Sequence, residues 1–434
     1  MREASDAAGD IRAQLVRDRR DLHRVAEPGW CEVYTAARIV AALRDLGWDV
    51  RYGESVVARD ARLGLPPPQV MDAFHARALD MGADPHVAAA LRGGFTGVVA
   101  RLTGGEEGPV VAFRFDLDAN FGAESQDGDH SPRRDGYAST SPQTHHNCGH
   151  DGHAALGLAL ARAMTARRDA FAGELRLIFQ PAEEGLRGAR AMVAAGVLDG
   201  VETFVAAHIG VQALSVGEIV SGYRDLLGSV KLDAAFSGRG AHAALSPHEG
   251  RNALLAACVA AQNLMAIPRH GAGDTRINVG MLSGGDSRNT VPSSAQLALE
   301  LRSENAAALA FLKEAAQRVV EAAAQMHGVT ATTQLVGESC AASSDPALAA
   351  LVREVAAATP GVRAIRDDVA FKASEDAAEM MRRVQESGGL AVYLGLGSAL
   401  ADVHHAPRFD FDEATLPLGL DLMERLALKL LAPR

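Results

Sequence analysis

Apolar residues recur at helical spacing near the start of the chain: Ile11, Leu15, Leu22 and Val25, then Ile39, Leu43 and Leu46. The period predicts helix over residues 11–47, and Glu27-Pro28-Gly29 divides it in two. Residues 58–93 contain the breaker Pro66-Pro67-Pro68 and a helical stretch from Val70 to Leu91. Lying between a helix and the first strand, they read as an inserted subdomain. Two apolar runs of strand length follow, Thr96 to Leu102 and Val110 to Phe115, and the Gly and Pro residues of 104–109 predict a hairpin between them. The second run ends in Asp116-Leu117-Asp118. Residues 119–147 are polar and predict a long loop, a feature that in compact domains usually serves function. A helix (Ala154 to Ala166) and strands at Leu175 to Phe179 and Phe204 to Ile209 then alternate, which argues for a layered α/β sheet.

Near residue 230 the pattern changes. Val230 to Phe236 alternates apolar and polar, Asn252 to Ala266 is helical, Ile277 to Leu282 and Ala295 to Leu301 are strands, Ala307 to His327 is a long helix, and Val329 to Leu335 is a last strand. That order is β-α-β-β-α-β. The expected architecture is an α/β catalytic domain in two parts, residues 1–225 and 339–434, interrupted by a small domain over residues 226–338.

Composition narrows the classes. The chain has 434 residues, 48% hydrophobic and 22% charged, with a formal net charge of −11. It is long enough for two or three domains, and its acidity gives no footprint for nucleic acid. No run of 18 apolar residues is present, so no membrane span is expected. The first twenty residues lack the apolar core of a secretory signal, and the four cysteines lie far apart; both point to a cytoplasmic setting.

Candidate chemistry concentrates in His145-His146-Asn147-Cys148-Gly149-His150-Asp151-Gly152-His153, where five of nine residues are His or Cys. A single His in a polar loop is better read as incidental, but this density favours metal ligation. An extended backbone puts Cys148 and His150 on one side. Phe179-Gln180-Pro181-Ala182-Glu183-Glu184-Gly185 places two carboxylates at a strand end. Adjacent side chains point oppositely, so one can bind metal while the other acts as general base. His208 closes an apolar run, and His404-His405 lies in a polar turn. Cys148, His150, Glu184, His208 and His405 together make an N, S and O donor set suited to Zn, Mn or Co. In the inserted domain, His242 and the pair Arg288-Asn289 stand out, the latter as a fork and an amide for a carboxylate.

These motifs resemble the metallopeptidase and amidohydrolase family that includes aminoacylases, auxin-conjugate hydrolases and p-aminobenzoyl-glutamate hydrolases. The resemblance covers nearly the whole chain through Arg19-Arg20-Asp21-Leu22-His23, Gly93-Gly94-Phe95-Thr96-Gly97, Asn147 through His153, Phe179 through Gly185, His208-Ile209-Gly210, Arg288-Asn289, Ser374-Glu375-Asp376 and Phe409 through Glu413. The stretch Arg62-Leu63-Gly64-Leu65-Pro66 is similar to the aminobenzoyl-glutamate branch. The resemblance implies a zinc-peptidase-like α/β domain with an inserted dimerisation domain, and one or two Mn or Zn ions on Cys148, His150, Glu184, His208 and His405. It implies Glu183 as general base, His242 reaching the site of a second copy across a homodimer, and Arg288 and Asn289 holding the substrate carboxylate or oxyanion.

The loop residues Asn120, Phe121 and His145 depart from the family pattern. With them as substrate contacts, the chain also resembles the aromatic aminohydrolases of this branch, and that resemblance implies removal of ammonia from a small aromatic amino acid such as 5-nitroanthranilate. The alternative is cleavage of p-aminobenzoyl-glutamate or a similar N-acyl amino acid.

Overall fold

A computed structural model describes residues 2–433 of the chain, with side chains from residue 10. It contains two compact units: Met1–Arg224 with Ser343–Phe371 and Asp376–Arg434, and Asp225–Ala342 with Lys372–Glu375. Among the described residues no helix is long and apolar enough to cross a membrane.

The first unit is built on an eight-stranded mixed sheet. Its strands run in the order Asp49–Tyr52, Val98–Thr103, Ala172–Gln180, Glu106–Asp116, Thr203–Ile209, Leu390–Leu396, Glu218–Val220 and Ala364–Arg366. The expected hairpin over residues 104–109 is not formed. Ala172–Gln180 enters between the two strands, antiparallel to Val98–Thr103 and parallel to Glu106–Asp116. The backbone amides of Gly104 and Gly105 donate to the carbonyls of Gly173 and Phe171 (2.9 and 3.0 Å), so the turn wraps the incoming strand instead of closing on itself. Every residue from Val111 to Asp116 is buried, as expected of a strand covered on both faces.

Helices cover this sheet. The N-terminal pattern resolves into Arg2–Val25 and Val33–Asp45. The stretch from Val70 to Leu91 is two helices, Pro68–Asp80 and Pro85–Leu91, the second capped by Asp84, which accepts from the amides of His86 and Val87. His150–Thr165 is buried over almost its entire length. Its glycines allow that depth: a Cβ on Gly157 would stand 2.6 Å from the Phe179 ring and 2.7 Å from that of Phe115.

The second unit is a four-stranded antiparallel sheet, in the order Thr275–Gly284, Ser294–Ser303, Gly228–Ser237, Thr330–Ser339. Helices Ala253–Met265 and Ala306–Met326 pack on its apolar face, each with an asparagine cap, Asn252 and Asn305. Val230, Leu232, Ala234 and Phe236 alternate into that core with Leu297, Leu299 and Leu301.

Candidate active site

Parallel strands deliver the polar groups of the first unit to one edge, the carboxyl ends where sites of open α/β sheets gather. Asp116 and Gln180 end neighbouring strands in register, and His208 lies at the end of the next. The loop after Gln180 carries Glu183 and Glu184. Gly149, with φ +89, lets the chain turn from Cys148 directly into the helix that begins at His150.

These loops converge. Donor atoms of Cys148, Glu184 and His405 lie within 4.8 Å of one another, as do those of Cys148, His208 and His404, and those of His150, Glu183 and Glu184. Cys148 and Glu184 each belong to two groups, so the cluster is continuous. Cys148 Sγ is 3.5 Å from His208 Nε2. His405 Nε2 is 3.2 Å from Glu184 Oε1, and His150 Nε2 is 3.9 Å from Glu183 Oε2.

Supporting hydrogen bonds fix the ring orientations. His150 Nδ1 donates to the Asp118 carbonyl (2.8 Å), which leaves the buried Nε2 without a hydrogen bond among the described residues. His208 Nδ1 donates to the Ile209 carbonyl (2.9 Å), turning Nε2 toward Cys148. The Asp118 carboxylate accepts the amides of both Glu183 (3.0 Å) and Glu184 (2.9 Å), so one side chain sets the direction of both carboxylates. A buried imidazole nitrogen aimed at thiol and carboxylate donors fits a divalent transition metal, whose ligating histidines are held through their other nitrogen.

Electrostatics agree with this arrangement. Burial disfavours the Glu184 charge, but the His405 hydrogen bond, His150 and Asn120 outweigh it and hold the carboxyl at about 2. Hydrogen bonds to Cys148 and then Glu184 raise His405 to about 10. Burial, followed by repulsion from His153 and His404, keeps His208 well below its ordinary value and therefore neutral. A metal ion competes with protons for the same lone pairs.

Behind the cluster lies a buried polar network. Asp151 Oδ2 accepts from Arg19 (2.8 Å) and pairs with His23 Nδ1 (2.8 Å), while His23 Nε2 is 2.9 Å from Glu124. Burial opposes the His23 charge, yet Asp151 and Glu124 raise it to about 9. The folded chain thus holds a proton that the unfolded chain loses above about 6.5. This contribution is complete below pH 6.5 and fades as pH rises through 9. His23→Gln should cost more stability at pH 6 than at pH 10, by about 3 kcal/mol at most. Urea unfolding at the two pH values measures it, and an equal loss at both would contradict the assignment.

The structure thus brings together Cys148, His150, Glu183, Glu184, His208 and His405, drawn from separate stretches of chain. His242, Arg288 and Asn289 belong to the second unit, where they adjoin: His242 bridges Thr290, and the Ala243 amide donates to the Asn289 carbonyl (2.9 Å). The three loop residues divide. Asn120 and His145 pair across a two-stranded ribbon. Asn120 Nδ2 donates to Glu184 Oε1 (2.6 Å) and Asn147 Oδ1 (2.8 Å), so its amide is engaged with the cluster. His145 is 2% exposed, with its nitrogens 2.9 and 3.4 Å from the carbonyls of Gly122 and Ala406. It ties loops together, with both ring nitrogens facing backbone oxygens. Phe121 is 60% exposed. Sequence reasoning passes over the roles of Asp118 and His404. His404 approaches Cys148 and His208, with Nε2 3.2 Å from the Ile209 carbonyl; its adjacency to His405 is the only signal in the sequence.

Residues 112–429 match the model of peptidase family M20/M25/M40. The chain is 44% identical to the indole-3-acetyl-aspartic acid hydrolase of Enterobacter agglomerans, covering 96% of this chain and 95% of the relative. It is 42% identical to a p-aminobenzoyl-glutamate hydrolase chain of Escherichia coli (strain K12), covering 99% and 98%. Among solved structures, an aminobenzoyl-glutamate utilization protein from Klebsiella pneumoniae superposes with a TM-score of 0.85 at 38% identity, covering 98% of each chain.

Proposed function

The chain belongs to peptidase family M20/M25/M40, and from that premise we propose that it is a metal-dependent amidohydrolase cleaving p-aminobenzoyl-glutamate or a similar N-acyl amino acid. Hydrolysis of carbon–nitrogen bonds is the activity for which its near-full-length relatives are named. The observation that carries the reading is the continuous cluster of Cys148, His150, Glu184, His208 and His405 with Glu183 beside it.

In this reading the five residues hold Mn or Zn, as one or two ions. When bound, the metal supplies positive charge that polarises the scissile carbonyl and lowers the pKa of water. Glu183 takes the proton of the attacking water and delivers it to the leaving amine, which balances the hydrolysis to a free acid and an amine. Asp118 keeps Glu183 and Glu184 diverging, and Asn120 holds one oxygen of Glu184. Arg288 and Asn289 bind the substrate carboxylate, and His242 serves the site of a second copy in a homodimer. Mixing His242→Ala with Glu183→Gln protomers should then restore part of the activity; verified mixed dimers without recovery would show that His242 does not act in trans.

Ring-amine removal from 5-nitroanthranilate is the second reading. The exposed Phe121 favours contact with an aromatic ring, but a p-aminobenzoyl group offers the same face, and two of the three loop residues behind the nitroanthranilate expectation are engaged with protein groups. Kinetics with added Mn or Zn separate the readings. Release of p-aminobenzoate from p-aminobenzoyl-glutamate, without ammonia from 5-nitroanthranilate, is expected; ammonia release alone would replace amide cleavage with the ring reaction.

A further inference from the structure

Arg187 stands three residues beyond Glu184. Its Nε donates to the Glu184 carbonyl (2.8 Å) and its Nη1 to the Gly64 carbonyl (2.8 Å), tying the carboxylate loop to the inserted stretch 58–93. Its Nη2 lies against Gly29, where a Cβ would come within 2.4 Å of it, so glycine is what makes room for the guanidinium. Arg62 belongs to the same stretch. It donates Nε to the Arg59 carbonyl (3.1 Å) and Nη1 to the Gly93 carbonyl, and its guanidinium stands 3.9 Å from the centre of the Phe95 ring. Trp30, next to Gly29, joins the two arginines: its indole donates to the Leu63 carbonyl (2.8 Å), and its Cβ and Arg62 Nη1 both pack around Gly94.

Both arginines are half-buried, and among the described residues every hydrogen bond they make goes to a neutral carbonyl. Among the described residues neither has a carboxylate within ion-pair distance, in a chain with more acidic than basic groups. Burial, then the neighbouring Arg59, draws Arg62 below its ordinary range, and the more distant Glu54 and Asp60 offset this only in part. Two guanidinium groups partly removed from water, each with an Nη2 not committed to protein, are the groups that recognise a carboxylate in a fork.

We propose that Arg62 and Arg187 form a carboxylate-binding site beside the Glu183-Glu184 loop that receives the acidic side chain of the substrate's amino-acid half, so that N-acyl-glutamate or N-acyl-aspartate is selected over neutral N-acyl amino acids. This rests on the amidohydrolase reading above and names the substrate class within it. The α-carboxylate is common to all such substrates, so a comparison of glutamate with glutamine conjugates isolates the side-chain charge.

The test is kcat/KM for p-aminobenzoyl-L-glutamate and p-aminobenzoyl-L-glutamine. The parent should prefer the glutamate conjugate by about 10- to 100-fold, the range of a charge-assisted pair. Arg187→Met and Arg62→Met should each bring that ratio toward one, and Arg187→Lys should restore part of it, which a merely structural arginine would not do. A parent that cleaves both conjugates equally well, or variants that keep the parent's ratio, would overturn the proposal while leaving amide hydrolysis standing. If the parent cleaves neither, the amidohydrolase reading fails, and calorimetry with glutarate on the metal-free protein then decides the site alone. Binding lost in both Met variants would support it; no binding by the parent would overturn it.

Discussion

Glu183→Gln is expected to lower turnover by about two to four orders of magnitude, the usual worth of a general base, while metal content stays near that of the parent. The substitution keeps the shape of the side chain and the amide that donates to Asp118 at 3.0 Å. It removes only the capacity to take a proton from water. Glu183 is 8% exposed and its Oε2 lies 3.9 Å from His150 Nε2, so it stands at the edge of the donor cluster, within reach of a water on it. Single-turnover rates and metal analysis on the same preparation check both halves. A variant keeping more than about a tenth of the parent rate would remove Glu183 from this role.

Glu184→Ala and His208→Ala should each weaken metal binding by at least about 10- to 100-fold, the loss typical of residues that merely support a ligand. The two act from different sides. Glu184 faces His405, while His208 faces Cys148 with its Nδ1 committed to the Ile209 carbonyl. Removing Glu184 also strips Asn120 of its carboxylate acceptor, so this variant should lose the more affinity of the two. Competition with a chromogenic chelator measures both, and unchanged affinity in the pair would contradict the ligand set.

Much of this chain is legible in its sequence alone. The helical period of Ile11 to Leu46, the alternation of Val230 to Phe236 and the order β-α-β-β-α-β are local patterns, and local geometry writes them directly. The cluster from His145 to His153 is legible for the same reason: its donors are contiguous, so their density shows without knowledge of the fold. His208 and His405 are different. Each is a solitary or paired histidine at a strand end or turn, weak as a signal alone, and it joins Cys148 only through donor chemistry and the family resemblance.

The tertiary structure decided what depends on contacts between distant segments. It placed Ala172–Gln180 between two strands that are consecutive in sequence, because the glycine-rich turn at Gly104 hydrogen-bonds to the incoming strand instead of to itself. It gave Asp118 hold of two backbone amides 65 and 66 residues away, turned Asn120 toward Glu184 and, among the described residues, left Arg62 and Arg187 with no carboxylate at ion-pair distance. Residue type and spacing along the chain determine which groups are available to bind a metal or move a proton. Which nitrogen faces inward, which carboxylate is held and which charge goes unpaired are set by hydrogen bonds whose two ends meet only when the chain is folded.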